Sequence, residues 1–446
     1  FWLRRAEPCF SRVGVALRKM ILVYLTFLAV GTSSGWFLNS ALWNLITNEK
    51  RNLPGQGKGL SADFASIQGY TGIITGLAYL VYMCNSRKGL SLKAEQVWSA
   101  SLMMATILGL LFLACCWDIG APDYPGLLFT SVVANTVANL TTYILFPCIS
   151  TNYGGWLIAP VRAGTDFSGL LVALIGKWQF IDGKSVRFPQ SVLFVFLICL
   201  ASLGLVAWLV IVSYGIGLKD DHYGAIVTEE SENSDASDSD GSSGNESEDS
   251  HCLYLDGLRC APALVVPVVI GTAAQICQWS FATPLGYIAS GVTDPVACDG
   301  EVGASVNSLS RTLSSVFLPL ASVASSLTTC PRRLYVAIWI AQLLATVVVV
   351  AAATETWREF WKREAGRTLF IVSYSMVAGL EGYLVTMAYR YIGDSDDVAP
   401  KLRQSTSRLL SLCGHTNCLS TILVSRWILS GPGLLSGLFP PIGCTP

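Results

Sequence analysis

At 446 residues the chain is long enough for two or three soluble domains, yet only 13% of its residues are charged and 52% are hydrophobic, about half the charge density of a soluble protein. A mean hydropathy of +0.52, with separated apolar runs of about 20 residues, makes lipid the expected solvent and excludes a water-soluble globular fold. A formal net charge of −1 with no basic stripe excludes nucleic-acid binding as the main activity.

Residues 1–19 form a basic stretch expected in the cytosol. Phe1 is not an initiator and Met20 directly precedes the first apolar run, so this stretch reads as a fragment end or a mis-assigned start. RRAEPCFSRVGVALRKM followed by ILVYLTFLAV also has the layout of a signal peptide, but apolar character continues through GWFLNSALWNLI to full spanning length. Apolar windows then predict an all-α polytopic membrane protein with about eleven helices in a 6+5 arrangement. A six-helix bundle over 20–216 holds helices at 20–46, 63–84, 97–116, 126–148, 154–176 and 190–215. A five-helix bundle over 258–430 holds helices at 259–283, 305–328, 333–353, 368–392 and 405–430. The fourth and fifth, separated by a few residues, are expected to be antiparallel neighbours. Because the runs are continuous and do not alternate, a β-barrel is excluded.

Between the bundles, residues 217–257 include TEESENSDASDSDGSSGNESEDS, too polar and self-repelling to fold, and read as a disordered acidic cytosolic linker. Its serines, set among acidic residues, suit an acidophilic kinase as partner; a solvated spacer is the plainer reading. Lys and Arg near helix ends, among them Arg4, Arg5, Arg18, Lys19, Arg87, Lys88, Lys93, Arg332, Arg333, Lys401 and Arg403, place the amino end and the linker in the cytosol. The tail, 431–446, then lies outside.

Ionisable groups at membrane depth normally face a bundle interior or a wet cavity. Arg162 and Asp166, four apart, share a helix face and can neutralise each other; Arg311, Glu381, His415 and Arg426 complete this set. Asp166 and Glu381 are the candidate cavity residues. A second set pairs amides with aromatics: Asn39, Trp43, Asn135, Asn139, Thr141, Tyr143, Gln275, Gln278, Trp279, Tyr374 and Tyr383. Aromatic faces and amides together suit a flat, hydrogen-bonding, uncharged solute held between the two bundles. Each taken singly also suits an interfacial belt or a helix-to-helix tie.

Most of the 14 Cys lie in apolar runs and read as small buried hydrophobes. Cys298 and Cys444 fall in polar connections on the outer side, where a bridge between them and free thiols are both open. Phosphate-binding, zinc-protease and nucleophile-elbow motifs are missing, and only three His are present, so no enzyme activity, metal or cofactor is expected.

Several stretches resemble the eukaryotic riboflavin transporters of the solute carrier class. SVVANTVANLTTYILFPCIS is similar to that family's Asn-x-Thr segment ending in Phe-Pro, here Asn139, Thr141, Phe146 and Pro147. VRAGTDFSGLL matches a Gly-rich pattern at Gly164 and Ser168 but departs at Asp166. IVSYSMVAGLEGYLV matches at Ser373, Tyr374, Gly379 and Tyr383 and departs at Glu381. Pro319, Leu320 and Ala321, and the triplet Phe439, Pro440 and Pro441, add to the likeness. Asn39 and Trp43 resemble an Asn-Gly-x-Trp motif with one extra residue, followed by Asn44 where the family has Glu. The resemblance implies uptake of riboflavin across the plasma membrane, in a fold related to the equilibrative nucleoside and major-facilitator carriers. A carrier of nucleosides or another neutral heterocycle is the nearest alternative; a receptor or scaffold working through its acidic linker is the alternative of another class.

Only two glycosylation sequons occur, Asn139-Leu-Thr within a span and Asn245-Glu-Ser within the linker. With this topology neither receives glycan, so treatment with a glycosidase leaves the electrophoretic mobility of the expressed chain unchanged.

Overall fold

The computed structural model describes residues 3–49, 69–82, 91–120, 124–181, 185–219, 261–283, 285–286, 289, 302–354 and 357–414. Linker residues 228–250, Cys298, His415, Arg426, Cys444 and the tail lie outside them, as does the side chain of Trp43. In the first half the helices are α1 (Leu3–Thr32), α2 (Gly35–Glu49), α3 (69–82), α4 (Leu92–Gly120), α5 (Tyr124–Asn152), α6 (Ile158–Gln179) and α7 (Gln190–Tyr214). The second half has α8 (Val265–Gln275), α9 (Val302–Leu327), α10 (Arg332–Ala353), the short α11 (Arg358–Trp361), α12 (Glu364–Gly393) and α13 (Pro400–Gly414). A two-residue hairpin, Phe180–Ile181 with Ser185–Val186, joins α6 to α7.

The chain is a multi-pass, all-α bundle. Among the described residues seven helices are long and apolar enough to cross a membrane, and the bent α1–α2 pair makes an eighth. The remaining three expected spans correspond to α3, α9 and α13. α9 is less apolar than its neighbours and is lined with serines, including the buried Ser310, Ser314, Ser322 and Ser325. In lipid such hydroxyls fold back onto their own helix: Ser314 donates to the Ser310 carbonyl at 2.7 Å and Ser325 to the Ser322 carbonyl at 2.6 Å, which satisfies the hydroxyl without solvent.

Two expected spans are not simple α-helices. The run 20–46 bends by 49° at Ser33–Ser34. There the freed Gly35 amide donates to Thr141 Oγ1 at 3.2 Å and Trp36 Nε1 donates to Thr142 Oγ1 at 3.0 Å, so α5 supplies the acceptors that the broken helix lacks. A Cβ on Gly35 would fall 2.5 Å from the Val137 backbone; at this bend backbone meets backbone. The run 259–283 passes from α-helix into a π-helical segment, Ile276–Ala282, where Thr283 Oγ1 donates to the Gln278 carbonyl at 2.8 Å.

The expected neighbourhood of the fourth and fifth spans needs correction. α5 packs against α2, α4 and α13, whereas α6 packs against α1, α2 and α9; the two touch each other only slightly. Their linker contains the one-turn helix Gly155–Leu157, which lets α6 leave α5 and reach the second half. Within the first half α1 crosses α6, and α4 lies along α7; within the second, α12 is the central helix, packed on α8, α9 and α10. At the end of the bundle where α5, α7 and α12 finish, one apolar cluster is continuous across both halves, with Phe27, Phe146, Ile149, Tyr153 and Val161 on one side and Leu384, Val385, Tyr389, Ile392 and Leu410 on the other.

The α1–α6 crossing depends on two glycines. A Cβ on Gly164 would lie 2.2 Å from the Leu28 carbonyl oxygen, and one on Gly31 would lie 2.0 Å from the Val161 carbonyl oxygen. Both obstacles are backbone and cannot turn aside. Gly164→Leu is expected to cost about 3 kcal/mol or more through overpacking, measured as a fall in thermal stability in detergent.

Candidate functional site

Charged side chains lie between the halves, and the chain puts them there through helices far apart in sequence. Arg162 sits one turn into α6 and is buried. Its Nη2 donates to Glu381 Oε1 of α12 at 2.7 Å, while its Nε lies 3.5 Å from Asp166 Oδ2 on its own helix. Glu381 is fully buried and its Oε2 has no hydrogen-bond partner. Asp166 Oδ2 also accepts from Ser322 Oγ of α9 at 3.2 Å, and Thr386 of α12 donates to Ser322 Oγ at 3.4 Å. The guanidinium carbon of Arg162 stands 5.6 Å above the ring of Phe146, within range of a cation–π attraction. Phe146 in turn meets Tyr389 edge-on at 5.9 Å, and the Tyr389 and Ser411 hydroxyls bond at 2.6 Å. Five helices of both halves thereby meet around one cation.

A second buried ion pair closes the end of the bundle. Glu95, in the first turn of α4, accepts from Arg408 Nη2 of α13 at 2.5 Å, from Gln404 Nε2 at 3.1 Å and from Asn152 Nδ2 at 2.9 Å. Removing the partner of a charge this buried costs about 3–5 kcal/mol, because the survivor is left desolvated. Close by, Ser150 and Ser407 share a hydrogen bond of 2.7 Å across the halves. Lys219 Nζ donates to the Gly393 carbonyl. Gly393 itself brings backbone against backbone across the halves, since a Cβ there would fall 2.1 Å from the Ser150 carbonyl oxygen. Beside it a polar recess lined by Gly155, Trp156, Lys219, Asp394 and Asp396 opens to solvent, with a volume of about 580 Å³.

Of the candidate residues read from the sequence, the structure brings Asp166 and Glu381 together around Arg162. Thr141 bonds the Val137 carbonyl at 2.7 Å and caps the α1–α2 bend. Tyr143 stacks on Tyr79 of α3 at 4.7 Å, in a cluster that Leu412 of α13 also joins. Asn39 and Asn139 are buried in the first half, Asn39 with its Oδ1 unpartnered; Asn135 Nδ2 bonds the Ser131 carbonyl at 2.9 Å. Gln275 packs against Gly414 of α13, and Gln278 lies in the π-helical segment with a buried, unpartnered Oε1. Tyr374 packs on Phe370 and Gly286, and the Tyr383 hydroxyl bonds Thr328 at 3.0 Å; both contacts lie within the second half. Arg311 is exposed. Asp166 and Glu381 thus meet in a charged contact between the halves, while the amides and aromatics have contacts of their own in each half.

Sequence reasoning missed Ser322, Glu95, Asn152, Gln404 and the pairing role of Arg408. The signal for Glu95 and Arg408 was present: opposite charges set just inside two apolar segments, each requiring a partner.

No protein-family model matches the chain, and no curated protein sequence matches it. Among solved structures it is similar to the proton:xylose symporter XylE of the major facilitator superfamily, bound to 6-bromo-6-deoxy-D-glucose, at 12% identity and a TM-score of 0.56 over 90% of this chain and 86% of that one. It is also similar to a bacterial homologue of the iron transporter ferroportin in an outward-facing state, at 14% identity and a TM-score of 0.52 over 90% of each chain. The fold is that of the major facilitator transporters, two helical halves facing each other.

Ser150 and Ser407 offer a direct check of this interface. A chain carrying Ser150→Cys and Ser407→Cys, with Cys148 and Cys413 replaced by Ser, is expected to form a disulfide under mild oxidation, seen as a protease-resistant link between fragments cut in the 228–250 linker.

Proposed function

We propose that this protein is a membrane transporter working by alternating access, with its two halves rocking about the contact that α5 and α6 make with α9 and α12. The observation that supports this best is the location of its buried charges. Both ion pairs, Arg162–Glu381 and Glu95–Arg408, run between the halves. A static helical bundle gains little from such pairs over well-packed apolar side chains, whereas a moving interface gains contacts that water can replace when it opens. Small polar ties such as Ser150–Ser407 serve the same end, each worth about 1 kcal/mol and re-formed at little cost.

The arrangement described has one end of the bundle closed. With the amino end in the cytosol, as the distribution of Lys and Arg indicates, the closed end is the cytosolic one and solute would enter from outside. The solute proposed is riboflavin, a neutral flat ring bearing a polyol, at the plasma membrane. This rests on the segments Asn139 to Pro147 and Ser373 to Tyr383 that resemble riboflavin transporters. Asn39 and Gln278, each with an unsatisfied buried amide oxygen, are the proposed hydrogen-bonding groups, one from each half.

Purified protein in lipid vesicles is expected to accumulate radiolabelled riboflavin above protein-free vesicles, with competition by excess flavin analogues and none by nucleosides. Competition by nucleosides alone assigns a different heterocycle. Absence of uptake by wild-type protein recovered folded and monodisperse in the vesicles removes riboflavin as substrate.

A further inference from the structure

The charges around Arg162 do not balance. One guanidinium faces two carboxylates, those of Asp166 and Glu381, with both carboxylate side chains at most 9% exposed. Five of the elements packed here supply side chains to the cluster; on α1 and α2, which also pack on α6, the charged groups with described side chains are Arg18 and Lys19, both exposed. α6 brings Arg162 and Asp166; α12 brings Glu381 and the Tyr389 hydroxyl; α9 brings Ser322; α5 brings the Phe146 ring; α13 brings Ser411, bonded to Tyr389. Arg390, two turns along α12 from Glu381, is engaged by the carbonyls of Ser325 and Thr328 and by Asp394, and Arg408 is held by Glu95. Among the described residues no second cation reaches the cluster, and a lone buried anion costs several kcal/mol in lost hydration. Glu381 Oε2, fully buried and without a partner, marks the same deficit: an acceptor with nothing donating to it.

We infer that the Arg162–Asp166–Glu381 cluster is a proton-binding site, in which the surplus carboxylate takes up one proton when the halves pack together. Asp166 is the group that holds it. Its contact with the guanidinium is the longer, 3.5 Å against 2.7 Å for Glu381, and its side chain keeps 9% exposure where Glu381 has none, which leaves a route for the proton from water. When the halves part, Glu381 leaves with α12 and is hydrated as the anion. Arg162 and Asp166 stay together on α6 as a neutral i,i+4 pair, and the proton returns to water. Closure thus binds one proton and opening releases one, so falling pH favours the closed arrangement by up to about tenfold per pH unit. The site stands apart from any substrate, while coupling between the proton and solute movement rests on the transport reading above.

Infrared difference spectra of the full chain in lipid vesicles, recorded between about pH 5 and pH 9 to span the usual carboxylate and histidine ranges, test the site directly. Wild type is expected to show the carbonyl stretch of a protonated carboxyl that disappears on raising the pH. Asp166→Asn removes the carboxyl, and Glu381→Gln leaves Asp166 paired one-to-one with Arg162, so either variant recovered as monodisperse protein is expected to lose the signal. No such signal in wild type, or one that survives unchanged in the recovered variants, overturns the proposal. Riboflavin flux into the same vesicles separates the two readings. A carboxyl signal without flux keeps the proton site and removes the flavin, and flux without the signal removes the proton site alone.

Discussion

A guanidinium that must be neutralised at membrane depth organises the middle of this protein. Arg162 cannot be hydrated where α6 lies against α9 and α12, and its needs are met by Asp166 on its own helix, Glu381 on another, and the face of Phe146 on a third. The attraction between unit charges rises as the dielectric falls, so these contacts hold the halves in register more strongly than apolar packing, which has no preferred alignment. The surrounding small residues permit the close approach that the pair requires. Gly382 of α12 lies against the Leu318 carbonyl of α9, where a Cβ would come within 2.7 Å, and the neighbouring Ser322 takes up the remaining polar groups.

The second ion pair, Glu95–Arg408, seals what the first aligns. It joins the first turn of α4 and the last turn of α5 to α13, and the Asn152 and Gln404 amides fill the remaining acceptor positions on Glu95. A carboxylate with three donors is well satisfied inside and would be equally well satisfied by water. That near-equality suits an interface that must open: contacts of this kind fix the geometry of the closed state without making it permanently favoured. The continuous apolar layer around Phe146, Tyr153, Tyr389 and Ile392 excludes water from both pairs while the interface is closed.

Much of the architecture was legible in the sequence because lipid leaves few choices. An apolar run of about 20 residues has to be helical, and the spans at 126–148, 190–215, 333–353 and 368–392 each correspond to one continuous helix. The i,i+4 spacing also gave the Arg162–Asp166 pair. What lay beyond reach was the partner 219 residues away, since the register between two helical halves is set by three-dimensional packing that no local period encodes. Amides were ambiguous for a different reason. Asn and Gln serve a solute or a neighbouring helix with the same donor and acceptor atoms, so Thr141, Tyr143 and Gln275 fitted a solute pocket in sequence while the fold uses them to cap, stack and pack. The bend at Ser33–Ser34 was hidden by the apolar residues on either side, and its cause, acceptors on α5 for the Gly35 amide and the Trp36 ring, becomes visible only once α2 and α5 are in contact.

The central claim is that the two halves separate at the end closed by Glu95 and Arg408. Lys93 of α4 and Lys401 of α13 are exposed on opposite sides of that seam. Spin labels on Cys at these positions, in protein reconstituted in lipid, report the distance across it. Two distances are predicted, with the longer one gaining population when Arg408 is replaced by Leu. A single distance that this replacement leaves unchanged, in protein shown to be folded, would contradict the account.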